Sequence, residues 1–262
     1  MCFFTERAGD DDMMLNHLKL IFVHIARTGG TSIETALTGY DWWLLSPETK
    51  HLSARQIRLQ AGEERWNKYF KFSVVRNPWD RVVSMFATGW WMGDHRQGNA
   101  QAEFQHFVAN LAPHPHEIYS SLHYSDIIDE KLDMIVRYEA LQDGFDRVCE
   151  AIGKPAIALG HQEARPRLHY SVYYNDSTRK QVGELFKRDV ADYGYTFDDV
   201  SRFDSVELSA LCEAVLMRRS PPVAQNAEPF NDASPRLSWL GPRLAVGATR
   251  LLRLARDRMS PG

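Results

Sequence analysis

Hydrophobic positions in this chain fall into short solid runs separated by stretches with one apolar face. Leu20 to Ile25 is broken only by His24 and rich in β-branched residues, the pattern of a strand covered on both sides. Ile33 and Leu37 then recur at helical spacing. The alternation repeats: Lys71 to Val75 predicts a second strand with a helix from Pro78, and Leu132 to Leu141 a third strand running into a helix. Further helices are predicted over Ser53 to Gln60, Glu103 to Leu111 and Ser177 to Val190, the last capped by Asn175 or Asp176. Loops are expected around Asp41-Trp42-Trp43-Leu44 and from Trp90 to Asn99. Strands alternating with helices imply an α/β fold with a mainly parallel sheet and ligands at the carboxyl ends of its strands.

Composition narrows the class. A chain of 262 residues fits one α/β domain of about 200 residues with a tail. Its net charge of −3 argues against broad nucleic-acid binding. Cys2, Cys149 and Cys212 are odd in number and widely spaced, which suits a reducing compartment and offers neither a disulfide framework nor a zinc site. Charges at Glu6, Arg7 and Asp10 to Asp12 interrupt the first seventeen residues, an N-terminal extension without a secretory core, so a cytoplasmic location is expected. The domain is expected over residues 18–218. Residues 219–235 read as a Pro- and Asn-rich linker. Residues 236–262 carry Arg236, Arg243, Arg250, Arg253, Arg256 and Arg258 with Leu240, Leu244, Leu251 and Leu254 at helical spacing, a basic amphipathic tail suited to peripheral contact with an anionic membrane or to docking on a partner, or else a solvated terminus.

Two strand ends carry candidate chemistry. The first strand breaks into Arg27-Thr28-Gly29-Gly30-Thr31-Ser32 before a helix, an arrangement that aims backbone N–H groups at an anion. Gly29 and Gly30 allow close approach, Thr31 and Ser32 add hydroxyls, and Arg27 adds a fixed positive fork. No lysine follows the glycines, so this is not a Walker A loop. The second strand ends in Arg76-Asn77-Pro78, with Asn77 suited to cap the next helix and Pro78 to its first position. Arg76 beside that helix start can bind an anion bidentately. An Arg76–Asp80 or Asp80–Arg81 ion pair would account for the same residues structurally.

Phe22 to Ile33 resembles the 5′-phosphosulfate loop of the sulfotransferase superfamily, in the carbohydrate-type branch with bacterial relatives, where it reads Pro-Lys-Thr-Gly-Gly-Thr-Ser. Phe72 to Phe86 resembles that family's 3′-phosphate motif, which places its arginine and serine at Arg76 and Ser84. The Arg137-Tyr138-Glu139 segment and the stretch from Leu168 to Tyr195 add to the likeness, which covers roughly residues 18–198. The resemblance implies a P-loop-like three-layer sandwich and sulfuryl transfer from 3′-phosphoadenosine 5′-phosphosulfate (PAPS), without a metal, to a hydroxyl of a small-molecule, carbohydrate or glycolipid acceptor. Residues 27–32 would then hold the 5′-phosphosulfate, and Arg76 and Ser84 the 3′-phosphate. Arg27 stands where the family has its catalytic lysine. It keeps its charge and clamps phosphate, but it donates a proton less readily.

The base is expected at a histidine, whose pKa lies near neutrality. His51 is chosen because Lys50-His51-Leu52-Ser53-Ala54 resembles the family's His-Leu-Thr-Ala segment. His24 reads as a core residue, with His123, His169 and Glu139 in reserve. Arg165 and Arg167 lie in a stretch that covers the nucleotide in relatives. The tryptophan pairs Trp42-Trp43 and Trp90-Trp91 suit stacking on a sugar or adenine, or covering the core edge. Two other functions fit the same residues: an ATP-dependent small-molecule kinase with an atypical P-loop, and a catalytically weakened nucleotide-binding protein.

Overall fold

The computed structural model describes residues 14–44, 47–88, 100–111, 121–160 and 169–199. Arg165, Arg167, Trp90, Trp91, the linker and the basic tail lie outside the described residues.

The expected first strand is β2, Leu20–Val23, with all four residues buried. It leads through the glycine turn into α1, Gly30–Thr38, then into a short 3-10 turn at Trp42–Leu44. Next comes α2, Ala54–Lys68, interrupted at Gly62. Its start follows from local chemistry: Ser53 and Gln56 form a reciprocal capping box. The second strand, β3 (Phe70–Val75), runs into α3, Pro78–Thr88. Asn77 caps α3 as expected, its side-chain oxygen accepting from the Trp79 N–H at 3.1 Å. After α4 (Ala100–Ala109) and α5 (Tyr124–Ile127), the third expected strand is β4, Met134–Arg137, followed by α6, Leu141–Ala151.

β2 pairs parallel with β3, Leu20 opposite Phe70, and β3 pairs parallel with β4, Val75 opposite Arg137. One short strand was not expected. β1, Met14–Leu15, lies within the segment read as an extension and pairs antiparallel with β2, giving the order β1-β2-β3-β4. Both of its residues are buried against the sheet. The molecule is therefore α/β, a mostly parallel four-stranded sheet flanked by helices. Among the described residues no helix is long and apolar enough to cross a membrane.

The C-terminal helix expected over residues 177–190 is two helices, α7 (Asp176–Leu185) and α8 (Lys187–Tyr193). Asn175 caps α7 through the Thr178 N–H. The break at Phe186 turns both its ring and the Asp189 carboxylate inward. The ring joins a cluster with Trp79, Phe104 and Tyr173, while Asp189 accepts from the Tyr124 N–H at 3.2 Å. A second cluster, built on Phe22, Phe72, Trp42 and Phe145, fills the space around the sheet. The sheet-side cluster includes Val23 and Val75, the last residues of β2 and β3.

Candidate active site

The first strand end makes its turn through two residues of positive φ, Arg27 at 67° and Gly29 at 87°. Gly29 is the N-cap of α1 and gives it no side-chain cap, and the first turn of α1 holds no acidic residue. The first N–H groups of a helix have no intrahelical partner, so this end is built to face a negative charge. Both glycines also have an inward reason. A Cβ on Gly29 would sit 2.9 Å from Leu141 and 3.0 Å from Tyr138, and one on Gly30 only 2.2 Å from the His24 ring. Their missing side chains let the turn settle onto Tyr138, just beyond β4, onto Leu141 at the start of α6 and onto His24, which sequence reading had not anticipated.

Around this turn the predicted residues take distinct places. The Thr28 side chain is fully buried and its hydroxyl donates to the Ile25 carbonyl at 2.7 Å, so it braces the turn. Thr31 is half-buried at the second helical position, and Ser32 is buried, its N–H donating to the Gly29 carbonyl at 3.2 Å. Arg27 reaches across to α3, where its Nε and Nη2 both donate to Ser84 Oγ at 3.2 Å. The two motifs, 57 residues apart in sequence, therefore meet side chain to side chain.

Arg76, at the end of β3, completes the junction. Its Nη1 donates to the Arg27 carbonyl at 3.1 Å and its guanidinium lies 3.8 Å over the Tyr138 ring. The structural ion pair foreseen at this position is also present: Arg76 Nε donates to Asp80 at 2.7 Å. These two bonds engage two of the five N–H donors of the guanidinium, and Asp80 fixes its plane. Arg81, the other candidate partner of Asp80, is instead fully buried and donates to the carbonyls of Ala26, Leu122 and Ser121. It thereby fastens α3 to the residue before Arg27.

His51 is buried just before α2, its ring 4.9 Å from that of His24 and 6.3 Å from that of Trp43. His24 sits just beyond β2, buried as expected, with Nδ1 2.5 Å from Glu34 Oε1. The reserve candidates have structural partners. Glu139 accepts from the Asn77 N–H at 2.6 Å and from the Tyr195 hydroxyl at 3.2 Å. His169 accepts from the Ser171 N–H at 3.3 Å. His123 packs on Phe186, its Nδ1 3.7 Å from Asp189.

Three residues that sequence reading passed over belong to the same neighbourhood. Glu34, fully buried on α1, pairs with His24 and with Lys50 Nζ at 2.9 Å, and Lys50 also meets Asp41. Burial pushes the Glu34 carboxyl up, but His24 and Lys50 together outweigh it and hold the pKa at about 2. The available signal was an acid one residue after Ile33 and three before Leu37, next to the apolar face of a helix, which asks for a buried cation.

The chemistry this arrangement offers is anion binding at a junction of two strand ends, with a buried histidine close to the glycine turn. No curated protein and no solved structure matches the chain. The family model described as "Sulfotransferase family" matches residues 11–196, more than half of the chain. This chain belongs to the sulfotransferase family.

Proposed function

We propose that this sulfotransferase takes its sulfuryl group from PAPS and moves it to a hydroxyl of a carbohydrate or glycolipid acceptor. One observation carries the reading: the Arg27 turn and the Arg76–Ser84 corner form a single junction, with Arg27 touching Ser84 and Arg76 reaching the Arg27 carbonyl. A ligand with phosphates at both ends of one nucleoside needs two adjacent cationic contacts, and a ligand with a single phosphate chain does not.

When bound, PAPS supplies the sulfuryl group and a phosphate leaving group. On this reading, the first N–H groups of α1 and the Arg27 guanidinium hold the 5′ end and neutralise charge that develops there. Arg27 cannot readily give up a proton, so its part is electrostatic. Arg76 and the Ser84 hydroxyl hold the 3′-phosphate. Arg27 and Ser84 bind each other in the structure, so both shift their hydrogen bonds when the ligand enters. His51 takes the proton from the acceptor hydroxyl. Trp43, half-buried beside His51, is placed to meet an apolar sugar face.

Calorimetry with adenosine 3′,5′-bisphosphate and with ATP tests the donor. The bisphosphate should bind at least about tenfold more tightly, a difference of about 1.4 kcal/mol, and without magnesium. Equal affinities, or binding that requires magnesium, would favour phosphoryl transfer instead. Tight bisphosphate binding without release of product from PAPS in the presence of any hydroxylated acceptor would point to a binding protein.

A further inference from the structure

Beneath the glycine turn lies a buried group of charges that the reading above does not use. Glu34 is its centre. One carboxylate oxygen lies 2.5 Å from His24 Nδ1, and the other lies 2.9 Å from Lys50 Nζ and accepts the Trp42 N–H at 3.1 Å. Lys50 is itself buried and pairs with Asp41, whose carboxylate accepts the Trp43 N–H at 2.9 Å. Taking such charges out of water is costly, and replacing them with apolar residues is often neutral or stabilising. Stability alone is therefore a weak reason for the cluster.

Its two arms lead to the two halves of the chemistry. On one side, the His24 ring occupies the space a Gly30 side chain would fill, so Glu34 orients a ring on which the anion-binding turn rests. On the other, Lys50 is the residue before His51, and the His24 and His51 rings are 4.9 Å apart. Glu34 also lies on α1, the helix that begins at the turn. One carboxylate thus joins the end of β2, the start of α1 and the segment that carries His51.

We propose that Glu34 is a positioning residue for transfer: through His24 and Lys50 it fixes the imidazole of His51 relative to the glycine turn. The inference rests on the reading of His51 as the base. In-line displacement demands that the attacking hydroxyl, the sulfur and the leaving oxygen be aligned, and small misplacements cost large factors in rate. Oxygens of one carboxylate, one against the His24 ring and one paired with the buried Lys50 ammonium, set that separation more rigidly than apolar packing of loops would.

The test uses the full chain, [35S]PAPS and octyl β-D-galactoside as a hydroxyl-bearing glycolipid mimic, with Glu34→Gln, Lys50→Met and His51→Ala compared with wild type. Glu34→Gln keeps the shape, and Asp41 still pairs with Lys50. It should lower kcat by about 10- to 100-fold while the KM for PAPS and the Kd for adenosine 3′,5′-bisphosphate stay within about threefold. Lys50→Met releases only the His51 arm and should show the same selective loss, which decides the matter if Glu34→Gln does not fold. The Glu34→Gln/Lys50→Met double variant should be no slower than Glu34→Gln, because Glu34 and Lys50 act as one unit. A Glu34→Gln enzyme with wild-type kcat, alongside a slow His51→Ala enzyme, overturns the positioning role and leaves the base intact. Loss spread equally over kcat, KM and melting temperature overturns it as well. A wild-type rate in His51→Ala removes the base reading instead. Ring-proton NMR reads the geometry without turnover: contacts between the His24 and His51 rings should vanish in Lys50→Met, and their persistence overturns the proposal.

Discussion

At the scale of single residues, the site depends on arginines that have partners inside the protein. Arg76 gives two donors to Asp80 and to the Arg27 carbonyl. A preoriented guanidinium loses little freedom on binding and meets phosphate with its remaining donors in a fixed plane. Arg76→Ala should therefore weaken adenosine 3′,5′-bisphosphate by about 1.5 to 3 kcal/mol, the range for a hydrogen bond to a charged group. Binding of adenosine 5′-phosphate, which lacks the second phosphate, should change by less than about 1 kcal/mol. Calorimetry on both ligands makes the comparison, and equal losses would show that Arg76 supports the junction without contacting the 3′-phosphate. The substitution also takes one partner from Asp80, so Arg76→Lys is the better probe of geometry. It keeps the charge but loses the fork, and should recover only part of the affinity.

At the scale of elements, the turn between β2 and α1 was legible because its signals are local. An apolar run, two glycines and a following helical pattern are read along a few residues, and the same holds for β3, Asn77 and α3. The reason for the second glycine was not legible, since it depends on a ring that folds back from the preceding strand. With His24 occupying the Cβ position at 2.2 Å, Gly30→Ala should destabilise the protein by about 1 to 3 kcal/mol through overpacking. Urea unfolding measures this, and in a His24→Ala background, where the space is vacant, the same substitution should cost less than in wild type. If the single substitution is neutral, the ring moves freely and the turn does not rest on it. The misread elements share a cause. β1 is too short to carry a period, and the break at Phe186 serves contacts with Tyr124 and Trp79 that lie far off in sequence.

For the whole molecule, what the sequence concealed is the partnering of buried charge. Helical spacing places Glu34 beside an apolar face, but only the assembled fold brings His24 and Lys50 to it from two other segments. That assembly makes stability depend on pH in a definite direction. The folded Glu34 carboxyl titrates at about 2, against an ordinary 4.5. A depressed carboxylate contributes stability above its unfolded pKa and loses it as the pH falls toward its folded value, so the contribution is complete at neutral pH and declines between about 4.5 and about 2. Its size is on the order of 3 kcal/mol. Asp189 works the other way: burial raises its pKa, so its contribution is fullest at low pH and fades as the pH rises through its folded value. The two opposing groups make the overall acid profile ambiguous, whereas a difference between variants isolates one of them. Unfolding free energies of wild type and Glu34→Gln, compared at pH 7, 4 and 3, should converge as the pH falls, because only the wild type has a carboxylate there to protonate. A gap that stays constant over that range would mean that Glu34 is held by packing and hydrogen bonds, and that its pairing with His24 and Lys50 contributes no net charge stabilisation to the fold.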